Sequence, residues 1–171
     1  MGGAQNIAPR FVNLLTRMIL NGVRTLPSLV WALLAVAVVG PNPLAGVIGL
    51  TFYSVGYLGK FFSDAFESID TNVSDGLRGA GADSIQAFQY GLLPQVKPLI
   101  LSHALWMLEY NIRSAAIIGY VGAGGIGLLL HTFQEFGQWQ KFSTVLLFIL
   151  VLVTALDFFG EWARGKLTKN D

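Results

Sequence analysis

The chain of 171 residues is 53% hydrophobic and only 12% charged, against roughly 25% charged in an ordinary soluble domain. Such a chain can bury a core but cannot clothe it in polar surface, which leaves a lipid-facing exterior. A net charge of +1 excludes the basic face that nucleic acid requires, and the absence of cysteine excludes disulfides and thiolate metal sites.

The N-terminal run MGGAQNIAPR has no apolar signal core, so targeting must reside in the spans themselves. Residues 11–23 read either as an extension of the first span or as an interfacial amphipathic helix, with Arg10, Arg17 and Arg24 recurring every seven residues near one face. Four apolar stretches follow. The first, 26–40, stops at Pro41-Asn42-Pro43, a turn signal; the second, 44–59, stops at Lys60. Both fall short of the ~20 residues of a span, so their helices are expected to extend into the flanks. The third, 99–121, carries Glu109 and Arg113; the fourth, 142–159, is interrupted by Asp157. Spans are expected near 25–41, 43–62, 97–119 and 141–162. No repeat or low-complexity linker divides the chain, and 1–171 is expected to be a single all-α membrane domain, a polytopic helical bundle.

Positive charge sets the orientation. With both termini and the 60–97 segment placed in the cytoplasm, that side holds Arg10, Arg17, Arg24, Lys60, Arg78, Lys97, Arg164, Lys166 and Lys169, and the outer segments hold Lys141 alone. A multi-pass protein of the cytoplasmic membrane with both ends inside is the expectation.

Residues 70–94 differ from the rest: polar, acidic at first, with two helix-like stretches parted by Gly79-Ala80-Gly81. Asp83 is placed to cap the second stretch with Gln86 in the capping-box position, and Pro94 ends it or begins the next span. A helix-turn-helix of this size exceeds what joining two spans requires. It reads as an amphipathic loop on the lipid surface or as a docking element for a cytoplasmic partner.

The run Asp75-Gly76-Leu77-Arg78-Gly79-Ala80-Gly81-Ala82-Asp83, with Leu93-Pro94 in register after it, resembles the EAA motif of ABC importer permeases. Asp75 stands in place of the usual Glu, and Gly76 and Leu77 in place of alanines; the glycine-to-proline frame is intact. Three further stretches are similar to phosphonate permeases: Arg24 to Leu33, Gly46 to Lys60, and Glu109 to Ala115 followed by Gly119 to Gly127. Methionine-type permeases share the glycine run. Family members usually carry one more N-terminal span, so the chain is expected to start late.

The resemblance implies a membrane core of the MetI-like kind. Two permease subunits, as a homodimer, would enclose a path, with cytoplasmic ATPase subunits beneath and a solute-binding protein outside. Residues Asp75, Arg78, Gly81, Ala82, Leu93 and Pro94 would form the ATPase-coupling loop. No cofactor is expected on this chain, since ATP and Mg would act through the partner ATPase; Gly59-Lys60 lacks the glycine spacing of a phosphate-binding loop. No catalytic triad or zinc motif is present, and His103 and His131 stand 28 apart without clustered ligands, so no catalytic or metal site is expected.

Gly122, Gly124, Gly125 and Gly127 formally spell a dinucleotide fingerprint, but the run follows a membrane span rather than a strand and lacks the acidic residue about 20 positions on. A flexible outer turn is one reading; a broken or re-entrant helix at a gate beside the path is favoured. Glu109 and Arg113, four apart, read as an ion pair that neutralises both, or as a partly freed Arg113 helping an oxyanion across. Asp157 and Glu161 are expected to reach interfacial water or Arg164, and Trp139 and Trp162 to anchor at the interfaces. The expected function is ATP-driven import of phosphonate or a related phosphorus oxyanion. The alternatives are a methionine or other small-solute permease, an ion-coupled secondary transporter, and a scaffold without transport.

Overall fold

A computed structural model describes residues 10–168. The first nine residues and Lys169, counted above among the inner charges, lie outside them. The described chain is all-α: α1 (Arg10–Arg24), α2 (Ser28–Val39), α3 (Pro43–Glu67), α4 (Asn72–Gly79), α5 (Ser84–Ala87), α6 (Leu93–Ile118), α7 (Gly125–Glu135) and α8 (Trp139–Thr168). A wide π-turn, Phe88–Leu92, precedes α6, and a kinked segment, Gly119–Ala123, non-helical at Val121 and Gly122, follows it.

The first two helices meet at 82°. Pro27 causes this, because its ring drives Leu26 out of the helical region. α1 therefore does not lengthen α2 along one axis, and α2 keeps 12 residues, about 18 Å. The amphipathic reading of α1 holds: Asn13 is buried, while Phe11, Leu14, Leu15, Met18 and Ile19 are exposed. α1 runs antiparallel to the second half of α3. Arg17 forms an ion pair with Glu67, Leu20 packs on Gly59, and Val23 with Arg24 packs on Gly56. The Trp31 indole N–H donates to the Val23 carbonyl at 3.0 Å and fastens the bend.

α2 lies against the first half of α3 at very close range. Ala32 is fully buried there, and a Cβ on Gly49 would stand 2.6 Å from the Ala32 Cα. The turn between them closes on Asn42, whose side-chain oxygen accepts from the Leu44 and Ala45 amides at 2.8 and 3.3 Å. Beyond it α3 runs 25 residues, α6 runs 26 and α8 runs 30, or about 37, 39 and 45 Å. Each exceeds the ~30 Å hydrocarbon layer.

The core is divided between the two ends. Ala65, Phe66, Ile69 and Val96 cluster where α3 and α6 approach the 70–94 segment, and Ala32, Ile118 and Ala123 cluster at the other end. Between them α3 and α6 join through aromatic rings: Tyr53 stacks on Tyr110 at 4.8 Å and Phe61 meets Trp106 edge-on at 5.7 Å. α8 leaves Leu146, Leu147, Phe148, Leu150 and Val151 exposed, an apolar exterior suited to lipid.

Because Gly49 admits Ala32 at backbone contact, Gly49→Leu must part α2 from α3, and a loss of about 1–3 kcal/mol is expected from overpacking. Thermal unfolding in detergent reads this. Gly76→Ala, where the added carbon meets open space in α4, should be neutral or slightly stabilising.

Candidate functional site

The 70–94 segment folds as a stiff elbow. α4 ends at Gly79, the chain turns through Gly81 at φ 96, and α5 starts at Ser84 behind its cap Asp83. The anticipated capping box forms: the Asp83 carboxylate accepts from the Ser84 amide at 2.7 Å, and the Gln86 side chain accepts from the Asp83 amide at 3.1 Å. α4 lies on the π-turn, where a Cβ on Gly91 would stand 3.1 Å from Leu77 and 3.2 Å from the Ser74 Cα. Gln95, which no sequence signal singled out, locks the base of the elbow. Its side chain accepts from the Asp70 amide at 3.0 Å and donates to the Asp70 and Gly91 carbonyls at 3.2 and 2.8 Å. Asp75, Arg78 and Gly81 are exposed on the outside, as are the apolar Val73, Ile85 and Tyr90. Ala82 is half-buried in the turn, and Leu93 and Pro94 open α6 rather than end α5.

From the elbow one helical path runs from Ser84 to Tyr120, loses its helical dihedrals at Val121 and Gly122, and bends by 55° into α7. The glycine run makes that bend. Gly122, Gly124 and Gly125 take φ values of 105, 81 and 72, which L side chains rarely adopt. Gly119 and Gly127 let α7 fold back: a Cβ on Gly127 would lie 2.1 Å from the Ala116 carbonyl oxygen. The Tyr120 hydroxyl donates to the Gln134 side chain across the bend. The helix is thus broken at the glycine run. Beside it an apolar cavity of about 330 Å³ is lined by Pro43, Gly46, Ile118, Gly124, Ile126 and Val153.

The intramembrane charges differ from expectation. Glu109 and Arg113 do not pair with each other; both reach across to α8. Arg164 donates to Glu109, and one Arg113 nitrogen donates to both Asp157 oxygens at 3.0 and 3.1 Å. Helical spacing allows an i,i+4 pair but does not compel one. Here Gly160 opens a notch for the carboxylate, since a Cβ on Gly160 would fall 1.7 Å from a Glu109 oxygen. α6 and α8 are thereby held by two crossing ion pairs, and Asp157 is a partner of Arg113 rather than of Arg164. His103 stacks on Phe61 at 4.7 Å and His131 faces Glu135, so the two histidines serve separate neighbourhoods.

The chain belongs to the family of binding-protein-dependent transport system inner membrane components, which it matches over residues 2–169. It is an inner-membrane transport component. It is 40% identical over 162 residues to a phosphite transport system permease protein of Stutzerimonas stutzeri, covering 94% of this chain and 59% of that one. Identity to a phosphate-import permease protein of Mycolicibacterium smegmatis is 32% over 145 residues, covering 85% and 27%. The chain thus spans about three-fifths of the length of its phosphite-system relative (59%). Among solved structures, an inward-facing methionine ABC transporter matches with a TM-score of 0.78 at 24% identity, covering 95% of this chain and 79% of that one. That likeness concerns the fold, which is the MetI-like permease fold.

The crossing pairs lend themselves to double-mutant cycles. Alanine substitutions at Glu109 and Arg164 should show coupling of about 1–3 kcal/mol in detergent unfolding. The Arg113–Asp157 pair is more exposed, at 56% and 45% against 30% and 13% for Arg164 and Glu109. Its coupling should stay below about 1 kcal/mol.

Proposed function

We propose that the chain is the path-forming subunit of an ATP-driven importer that carries phosphite, phosphonate or a related phosphorus oxyanion across the inner membrane. Two copies enclose the path, because the cavity beside the glycine break is apolar and suits no anion. ATPase subunits holding ATP and Mg grip the elbow from the cytoplasm, and a solute-binding protein delivers the ligand outside. Both termini are cytoplasmic in this arrangement. The family description supports the binding protein, and the phosphite and phosphate relatives support the substrate class.

One observation carries the coupling mechanism: the elbow is the start of the same helix that ends in the glycine break. Exposed Asp75 and Arg78 offer charges, and Val73, Ile85 and Tyr90 offer apolar area, to a cleft on the ATPase. Closure of the ATPases displaces α4 and α5. Because α4 rests on Gly91 and Gln95 ties Asp70 to the base of α6, that displacement passes into α6 rather than dissipating in a loop. At the far end Gly122, Gly124, Gly125 and Gly127 give the backbone the freedom to change its angle, which serves as the gate. Glu109 and Arg113 keep α8 moving with α6, and Arg113 borders the path.

Gly81→Val tests this reading. A β-branched residue at φ 96 is strained by about 1–3 kcal/mol, enough to redirect the turn but not to prevent insertion. In proteoliposomes with the ATPase and binding protein, phosphite uptake per ATP hydrolysed should fall at least about tenfold. Wild-type coupling in that variant would refute the lever, and uptake by the wild type driven by an ion gradient without ATP would refute the importer.

A further inference from the structure

Arg24 was expected among the flanking inner charges, yet packing carries it elsewhere. The antiparallel run of α1 along α3 sets Arg17 at Glu67, at the elbow end, and Arg24 at Gly56. Gly56 lies midway along the 25 residues of α3, so the guanidinium sits at the depth of the helix centre. A cation at that depth is costly and marks either an ion pair or a path.

No ion pair forms. Arg17, Lys60, Arg113 and Arg164 each meet a carboxylate, whereas Arg24 meets none among the described residues. Its guanidinium carbon stands 4.7 Å over the Tyr57 ring, and its Nε is buried without a hydrogen-bond acceptor. Orphaned buried donors are rare in folded proteins and call for a ligand or water. The Tyr57 ring against the cation leads into a chain of hydroxyl-bearing side chains. Tyr57 meets Tyr53 at 4.5 Å between rings, Tyr53 stacks on Tyr110, and the Tyr110 hydroxyl lies 3.3 Å from that of Ser28. A planar guanidinium with no carboxylate partner among the described residues matches a tetrahedral oxyanion.

We propose that Arg24, with the hydroxyls of Ser28, Tyr53, Tyr57 and Tyr110, is an oxyanion contact halfway along the transport path. The inference rests on the reading of the chain as a phosphorus-oxyanion permease. The ring of Tyr57 holds the cation when no anion is present, and a passing anion supplies the missing acceptor to Nε. The contact is transient because the ring competes for the same guanidinium face.

The test uses the full chain assembled with its ATPase and binding protein in proteoliposomes, with phosphite and methylphosphonate as probes. Absence of ATP-dependent uptake of either probe by the wild type overturns the substrate reading and this inference with it. Given wild-type uptake, Arg24→Gln should lower the maximal rate about tenfold or more while still co-purifying with the ATPase. The half-saturating concentration, set by the binding protein, should not move. Arg24→Lys, which keeps the charge, should recover at least about a third of the rate. Unchanged uptake in Arg24→Gln overturns the inference and leaves the permease reading standing. Equal losses in both variants, with lowered co-purification, mark a structural role and overturn it too. Should Arg24→Gln fail to assemble, Tyr110→Phe decides, since it keeps the ring stack and removes one donor. A fall in rate of about fivefold supports the contact, and a wild-type rate removes it.

Discussion

The helix running from Ser84 to Tyr120 is the member to which the other elements are referred. α4 rests on its π-turn, α3 joins its middle through stacked aromatic rings, α8 is held to it by two ion pairs, and α7 folds back on its end. In an apolar chain each attachment answers the same demand. Polar and charged groups that enter a membrane-facing bundle must find partners inside the protein. The helix satisfies its own backbone, and its charges find theirs on α8.

This arrangement separates the two ends chemically. At one end the elbow exposes acidic, basic and apolar side chains, bound to the helix by Gln95 and by the close approach at Gly91. At the other, glycines alone let the backbone turn, and the adjoining cavity is apolar. α1 adds a third feature, since its antiparallel course along α3 brings Arg24 against Gly56, midway along that helix.

Local chemistry was legible in the sequence, and pairings across helices were not. The Asp83–Gln86 cap, the turn at Gly81, the stop at Asn42 and the break at the glycine run each depend on residues within a few positions of one another. All four appear in the fold. The partners of Glu109 and Arg113 lie 55 and 44 positions away, and spacing on one helix carries no information about them. Gly160 was the available clue, a gap in an apolar helix opposite a carboxylate. The packing of Arg24 was hidden for a related reason: its charge and its place before Pro27 suit a flanking residue, and only the fold of α1 back along α3 brings it to Gly56, midway along that helix.

The wide turn at Phe88–Leu92 has an angular consequence. A residue added to a helix rotates everything beyond it by about 100° about the axis. The turn thus works as a phase shifter between the part of the rod that faces the elbow and the part that faces α8. Without that offset Gly91 would still seat α4, but Glu109 and Arg113 would point about a quarter-turn away from the notch at Gly160 and the carboxylate of Asp157. The azimuth of the intramembrane charges is therefore written some twenty residues upstream, in the one stretch where the helix is wound too loosely.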